Sequence, residues 1–233
     1  MIPVLLVIIF LTLIFMQITW LGQSSFKIEA KTTLGNTVTI ITDPYNDSVG
    51  LKMPRSKADI VTVSHGHFDH NNLEAVKGEP FIIQNPGEYE TKGVFIYGVE
   101  TYHDDKKGAE RGPSTVYRID VEDLTLAHLG DLGHTLENGQ LELLEGVDIL
   151  MIPVGGVYTI DAKKAMDVIS QIEPRIVLPM HYKIPGIKVN FDGIDKFCKE
   201  IGVCSKDHPD KLKITKKDLP QEDMQVIVLE RQG

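Results

Sequence analysis

Three imidazoles and a carboxylate crowd into six residues, His65-Gly66-His67-Phe68-Asp69-His70, just after the apolar run Asp59-Ile60-Val61-Thr62-Val63. Titratable groups at the end of a buried strand are costly unless something pairs with them, and a metal ion is the natural partner. Gly66 lets the rings of His65 and His67 turn toward one ion, whereas Asp69 and His70, expected to open the next helix, approach a second. Neutral imidazole with carboxylate suits zinc best, and manganese or iron accept the same donors. The bland alternative is a surface histidine cluster, because spacing alone is only a hypothesis about context.

The elements that must position these groups are mostly strands. Short β-type runs fall at 18–20, 25–29, 37–42, 60–63, 81–84 and 94–99, punctuated by Leu34-Gly35-Asn36 and Asn85-Pro86-Gly87. A second set follows at 115–119, 124–127, 149–152, 176–178 and 225–229. Helical periodicity is confined to two stretches. Ala162, Ala165, Met166, Ile169 and Ile172 form one stripe, with Asp161 as N-cap and Pro174 as stop. Phe191, Ile194, Phe197 and Ile201 form another, ending at Gly202. One-sided helices bury only a stripe, while the runs at 60–63 and 149–152 are apolar without alternation and need cover on both faces. Two packed sheets with helices outside each satisfy both demands, and residues 16–233 read as one domain.

Composition narrows the partners. A formal net charge of −9 disfavours a phosphate-tracking surface, so no nucleic-acid partner is expected. Lys211, Lys213, Lys216 and Lys217 are a solvated run rather than a binding stripe. The two cysteines, Cys198 and Cys204, fit neither a zinc knuckle nor a redox C-x-x-C pair and read as reduced thiols of a cytoplasmic protein. Residues 1–15, MIPVLLVIIFLTLIF, form an apolar extension with neither the positive start nor the small-residue cleavage site of a signal peptide. They are expected to be an artefact of the assigned start or a crude anchor; no stable membrane association is expected unless that anchor is retained. The partner expected is a small-molecule substrate, and a homo-oligomer is compatible with the sequence.

The H-x-H-x-D-H run resembles the signature of the metallo-β-lactamase superfamily. Within it the chain is similar to small bacterial and archaeal hydrolases related to ascorbate-6-phosphate lactonase. The likeness is carried by Trp20-Leu21-Gly22, Asn85-Pro86-Gly87-Glu88-Tyr89-Glu90, His128-Leu129-Gly130-Asp131-Leu132-Gly133-His134, and Pro153-Val154-Gly155-Gly156 before Asp161-Ala162. It spans residues 16 to about 231 and implies an α/β fold, an αββα four-layer sandwich with metals at one edge between the sheets. The resemblance further implies that His103 joins His65 and His67 on one metal, that His181 joins Asp69 and His70 on a second, and that Asp131 bridges both. The implied activity is that of a di-metal hydrolase, lactonase-like, in which a hydroxide shared by two ions cleaves a small lactone or phosphate ester. Asp69 would orient that hydroxide and Asp131 would hold the ions at working separation.

Two departures bear on substrate. Gln23 stands where many relatives carry histidine, and His103 is followed by Asp104-Asp105-Lys106 instead of H-T-x-G. The second disfavours β-lactam, glyoxalase II and tRNA 3′-processing activity. Other candidates carry competing roles. His128 is expected to pack in a strand and His208 to lie at the surface. His134 is open between structure and substrate contact. Glu88, Tyr182 and Lys183 are pocket candidates or plain turn and edge residues. The rival functions are a phosphodiesterase or nuclease on short nucleic acids and a metal-binding sensor with little turnover.

Overall fold

The computed structural model describes residues 15–32 and 35–233. The expectation for residues 1–15 therefore lies, except for Phe15, outside the described residues, as does part of the turn at 34–36. Strands run in the order β1 (Met16–Gly22), β2 (Ser25–Lys31), β3 (Thr37–Thr42), β4 (Ser56–Lys57), β5 (Ile60–Thr62), β6 (Val76–Lys77), β7 (Phe81–Ile83) and β8 (Gly87–Thr91). Then come β9 (Val94–Tyr102), β10 (Pro113–Val121), β11 (Leu124–His128), α1 (Asn138–Leu143), β12 (Ile149–Pro153) and α2 (Ala162–Ile172). β13 (Ile176–Met180), α3 (Ile194–Ile201), β14 (Leu212–Ile214) and β15 (Gln225–Val226) complete the set.

Two sheets result, ordered β14-β1-β2-β3-β5-β7 and β15-β13-β12-β11-β10-β9-β8, with β4 and β6 as a separate parallel pair. β1 pairs with β14 and β13 with β15, so the last part of the chain is woven into both sheets. The inner faces share one core, in which Trp20, Phe26, Ile40 and Ile60 of the first sheet meet Ile96, Ile119, Leu126 and Met151 of the second. Tyr117 crosses between them; its hydroxyl donates to the Val63 carbonyl at 2.8 Å.

The fold is thus the expected α/β sandwich, but its two outer layers differ. Over the second sheet, α2 buries Ala162, Ala165, Val168, Ile169 and Ile172 and is capped by Asp161, which accepts from Lys164 N. α3 packs on α2 and ends at Gly202 as anticipated. Over the first sheet, Leu21, Ile41, Val61 and Val63 are covered by Tyr45, Val49, Leu51, Ala75, Ile187 and Phe191, which lie on loops and 3-10 turns (Asp47–Val49, Leu73–Ala75). Pro44, Gly50 and Pro54 leave that covering segment no uninterrupted stretch for an α-helix.

The thiol expectation is corrected. Cys198 and Cys204 form a disulfide, because Gly202, in the left-handed region, reverses the chain after α3 and brings Cys204 back onto its last turn. The spacing of the two cysteines fits no metal or redox motif, and only the helix-end reversal brings their sulfurs together.

What matters for function is strand polarity. β3, β5 and β7 run parallel, as do β11, β12 and β13, and β9 is parallel to β11 through the antiparallel β10. Their C-terminal ends therefore share one edge of the sandwich, where binding residues of α/β folds gather. The tight β1–β2 turn at Gly22–Ser25 reaches that edge as well.

Candidate metal centre

Four of the seven donors stand within three residues of a strand end. His65 follows β5, His103 follows β9, Asp131 follows β11 and His181 follows β13. Asp69 and His70 do not open a helix, contrary to expectation; they sit in a turn in which His70 N donates to His67 O at 3.0 Å. That turn serves the donors better than a helix would, since it folds both ends of the His65–His70 run toward one point.

All seven sequence-expected residues converge. Their donor atoms form three groups, His65 with His67 and His103, His65 with His70 and Asp131, and Asp69 with His70 and His181, each within 4.8 Å. Asp131 is central. Its Oδ2 lies 3.1 Å from His70 Nε2 and 3.3 Å from His103 Nε2, and its Oδ1 lies 3.4 Å from His181 Nε2. Yet His70 Nε2, fully buried, makes no hydrogen bond, and His103 Nδ1 and His181 Nδ1 also lack one. A buried nitrogen such as His70 Nε2, pressed against Asp131 Oδ2 without a hydrogen bond, is expensive by itself. It is the arrangement expected of donors that share cations.

The protonation pattern agrees. Burial, reinforced by the charge on His70, pushes His65 down to about 3, and burial lowers His103 and His181 too, so these rings stand neutral with lone pairs free. His70 goes the other way. Burial opposes its charge, but Asp131 and Asp43 on either side hold its pKa well above the usual value. Burial likewise works against the charge of Asp131, and His181 and His70 overcome it. Without a metal, a proton on His70 supplies part of the positive charge the carboxylates demand. The donor set therefore fits divalent cations held by imidazole and carboxylate.

Glycines explain how Asp131 gets so close. A Cβ on Gly130 (φ +50°) would lie 2.5 Å from Ser64 Cβ, and one on Gly133 would lie 2.3 Å from Asp104 N and 2.4 Å from His103 C. The Asp131 turn is thus wedged between the two histidine loops, and Gly133 N donates to Tyr102 O at 2.9 Å.

Several supporting residues were not foreseen. Asp43, fully buried after β3, accepts from Ser64 N at 2.7 Å and Ser64 Oγ at 2.6 Å and holds His70 Nδ1 at 2.8 Å. Ser64 Oγ also lies 2.9 Å from His65 Nδ1. The signal was available, since Asp43-Pro44 follows an apolar strand as His65 does. Asp104 accepts from the backbone N–H groups of Lys106, Gly108, Glu110 and Arg111. Its partial burial works upward, but the Arg111 N–H and the other three bring its carboxyl down to about 2. It folds the loop that follows His103.

Of the uncertain residues, Gln23 donates from Nε2 to Asp69 Oδ2 at 3.1 Å. His128 is buried against Phe26 and bonds the Ser24 carbonyl, as a packed strand residue should. His134 donates from Nδ1 to Thr135 O and accepts at Nε2 from Tyr102 N, one residue before His103. Tyr182 stacks on Trp20, and Lys183 ties the carbonyls of Ile187 and Val189. Neither they nor Glu88 lines the cleft of about 500 Å³ that opens beside His65 and His67, whose lining includes Gln84, Glu100, Arg111 and Thr115. A larger groove of about 1070 Å³ lies away from the donors, between α1 and the end of α2.

Comparison with known proteins agrees with this geometry. A model of the beta-lactamase superfamily domain matches residues 17–181. A UPF0173 metal-dependent hydrolase of Staphylothermus marinus is 30% identical over 192 residues, covering 71% of this chain and 82% of its own. A UPF0173 protein of Pyrococcus abyssi is 31% identical, covering 73% and 85%. Among solved structures, a candidate zinc-dependent hydrolase of the metallo-β-lactamase superfamily from Thermotoga maritima matches with TM-score 0.74 and 35% identity over 93% of this chain and 100% of that one. The chain belongs to the metallo-β-lactamase superfamily and, within it, to the UPF0173 family of metal-dependent hydrolases.

Proposed function

We propose that this metal-dependent hydrolase works with two divalent cations, zinc first and manganese or iron next, and cleaves a small ester-like metabolite, a lactone or phosphate ester. The observation that carries the reading is Asp131, whose two oxygens face three imidazoles from separate strand ends. In this reading His65, His67 and His103 hold one cation, Asp69, His70 and His181 the other, and Asp131 both. Bound cations of this kind acidify water so that it attacks at neutral pH, and they polarise the oxygen of the bond under attack. The chain supplies the rest. Asp69, steadied by Gln23, would orient the attacking hydroxide by accepting a hydrogen bond from it, and Asp43 keeps His70 turned toward Asp131.

The lactonase likeness and the modest cleft favour a small substrate over short nucleic acids, and a complete donor set argues against a sensor without turnover. The cytoplasm is the proposed compartment. No helix among the described residues is long and apolar enough to cross a membrane, and the Cys198–Cys204 bond makes fractionation of the native protein worth doing.

The test is a panel of lactones, phosphate monoesters and bis-4-nitrophenyl phosphate, run with zinc and with manganese, on wild type and Asp131→Asn with metal content measured on both. We expect turnover of a small ester and a loss of about a thousandfold or more in the variant, with reduced metal loading. Activity on RNA alone would replace the small-molecule reading, and less than one metal per chain after reconstitution would favour the sensor.

A further inference from the structure

Arg111 is a cation at the cleft with no acidic partner among the described residues. Its backbone is fixed by Asp104, yet its guanidinium makes no hydrogen bond or ion pair among the described residues; it lies 4.2 Å over the ring of Tyr158. It lines the same cleft as His65 and His67 and is the one arginine or lysine in that lining, Glu100 being the one acidic residue. Tyr158 comes from the other flank. Its ring meets Phe191 edge-on at 6.4 Å, and Phe191 lies 4.3 Å from His181. The Arg111–Tyr158 pair thus spans from the His65 side of the centre to the His181 side.

Stacking on an aromatic face occupies a guanidinium's plane and leaves its forked N–H edge free, which suits two oxygens of a carboxylate or phosphate. In a chain of net charge −9, an unpaired arginine beside the donors is a local reversal of sign. Val157 and Tyr158, both exposed, give the pair an apolar margin.

Resting on the hydrolase reading above, we infer that Arg111, on its Tyr158 platform, receives an anionic group carried by the substrate next to the scissile bond. The substrate is then a small anionic ester rather than a neutral one. Carboxylate and phosphate share this chemistry, and the experiment separates them.

The metal-loaded protein is assayed with 4-nitrophenyl hydrogen succinate and 4-nitrophenyl butyrate, which share a leaving group and differ in charge, and with 4-nitrophenyl phosphate. Arg111→Ala should lower the preference for the anionic ester over butyrate at least about tenfold, mainly through KM, while Arg111→Lys restores part of it. Tyr158→Ala should shift the same ratio less. Succinate and inorganic phosphate are also titrated calorimetrically into wild type and Arg111→Ala, and the anion whose affinity drops about tenfold or more identifies the group received. Equal affinities and an unchanged ester preference in the variant overturn the inference while leaving the hydrolase standing. Arg111-dependent anion binding without hydrolysis of any ester would do the reverse.

Discussion

The two halves of the candidate centre are held very differently. His70 and His181 are buried to within 1% exposure, backed by Asp43 on one side and Phe191 on the other, with Gln23 fastening Asp69. His65 and His103 are buried too, but His67 stands exposed on the cleft and its Nδ1 has only His65 Nε2, 2.9 Å away, for company. The deep half is therefore a scaffolded set of donors and the cleft half an accessible one. The cleft opens where the donors are least constrained, and rigidity is placed behind them.

The comparison is broken most forcefully by exchanging one imidazole in each half. His70→Ala strands two buried carboxylates, Asp43 and Asp131, with no positive charge between them. Removing one partner of a buried pair costs about 3–5 kcal/mol, so we expect a fall in melting temperature of about 10 °C and loss of metal from both halves. His67→Ala removes an exposed ring that leaves no buried charge unpaired, its hydrogen-bond partner being the ring of His65. Its melting temperature should stay close to that of the wild type while metal content drops by about one equivalent. Calorimetry and metal analysis of the two purified variants suffice; equal destabilisation would mean that the halves are not differently held.

Asp43→Asn sharpens the contrast at lower cost, because the amide keeps the shape and removes the charge that fixes the ring of His70. Losing such a support typically weakens metal binding 10–100-fold. Chelator competition should find that loss in one class of site and a smaller change in the other. A uniform loss would assign Asp43 to general stability.

How much of this was legible in the chain follows from the same contrast. The His65–His70 run could be read directly, since three imidazoles after an apolar strand have few structural uses. The Gly130–Gly133 turn was legible only through the resemblance; its glycines let it pack against the Ser64 side chain and the His103–Asp104 backbone. The resemblance supplied His103, Asp131 and His181, which spacing alone does not connect. The roles of Asp43, Asp104 and Arg111 escaped notice because a single acid or base in a loop has no periodicity, and what it does depends on which N–H groups or rings the fold brings to it. The strands near the centre were placed closely, but their ends were underestimated. β9 runs on to Tyr102, continuing past the apolar stretch because its backbone pairs with β10 whatever its side chains. Helical cover for the first sheet was expected from layer logic, which demands burial of Ile41 and Val61 but does not specify what buries them.

The smallest expected effect lies at Gln23, which braces the deep half through both its backbone and its side chain. Its carbonyl accepts from His181 N at 3.1 Å and from Trp20 Nε1 at 3.0 Å, and these bonds survive any substitution that keeps the turn. Its side chain makes one bond, to Asp69, and leaves Oε1 buried and unpaired. Gln23→Ala thus deletes a single hydrogen bond to a carboxylate that is also held through its own loop. A bond to a charged group is worth about 1.5–3 kcal/mol; losing the unpaired, buried Oε1 offsets part of it, which sets the expected fall in kcat/KM at about tenfold, with melting temperature and metal content little changed. Steady-state kinetics on whichever ester proves active would show it. A loss of a thousandfold would place the amide on the reacting atoms, and no loss at all would mean that the turn alone aims Asp69, leaving the amide free to answer to the substrate.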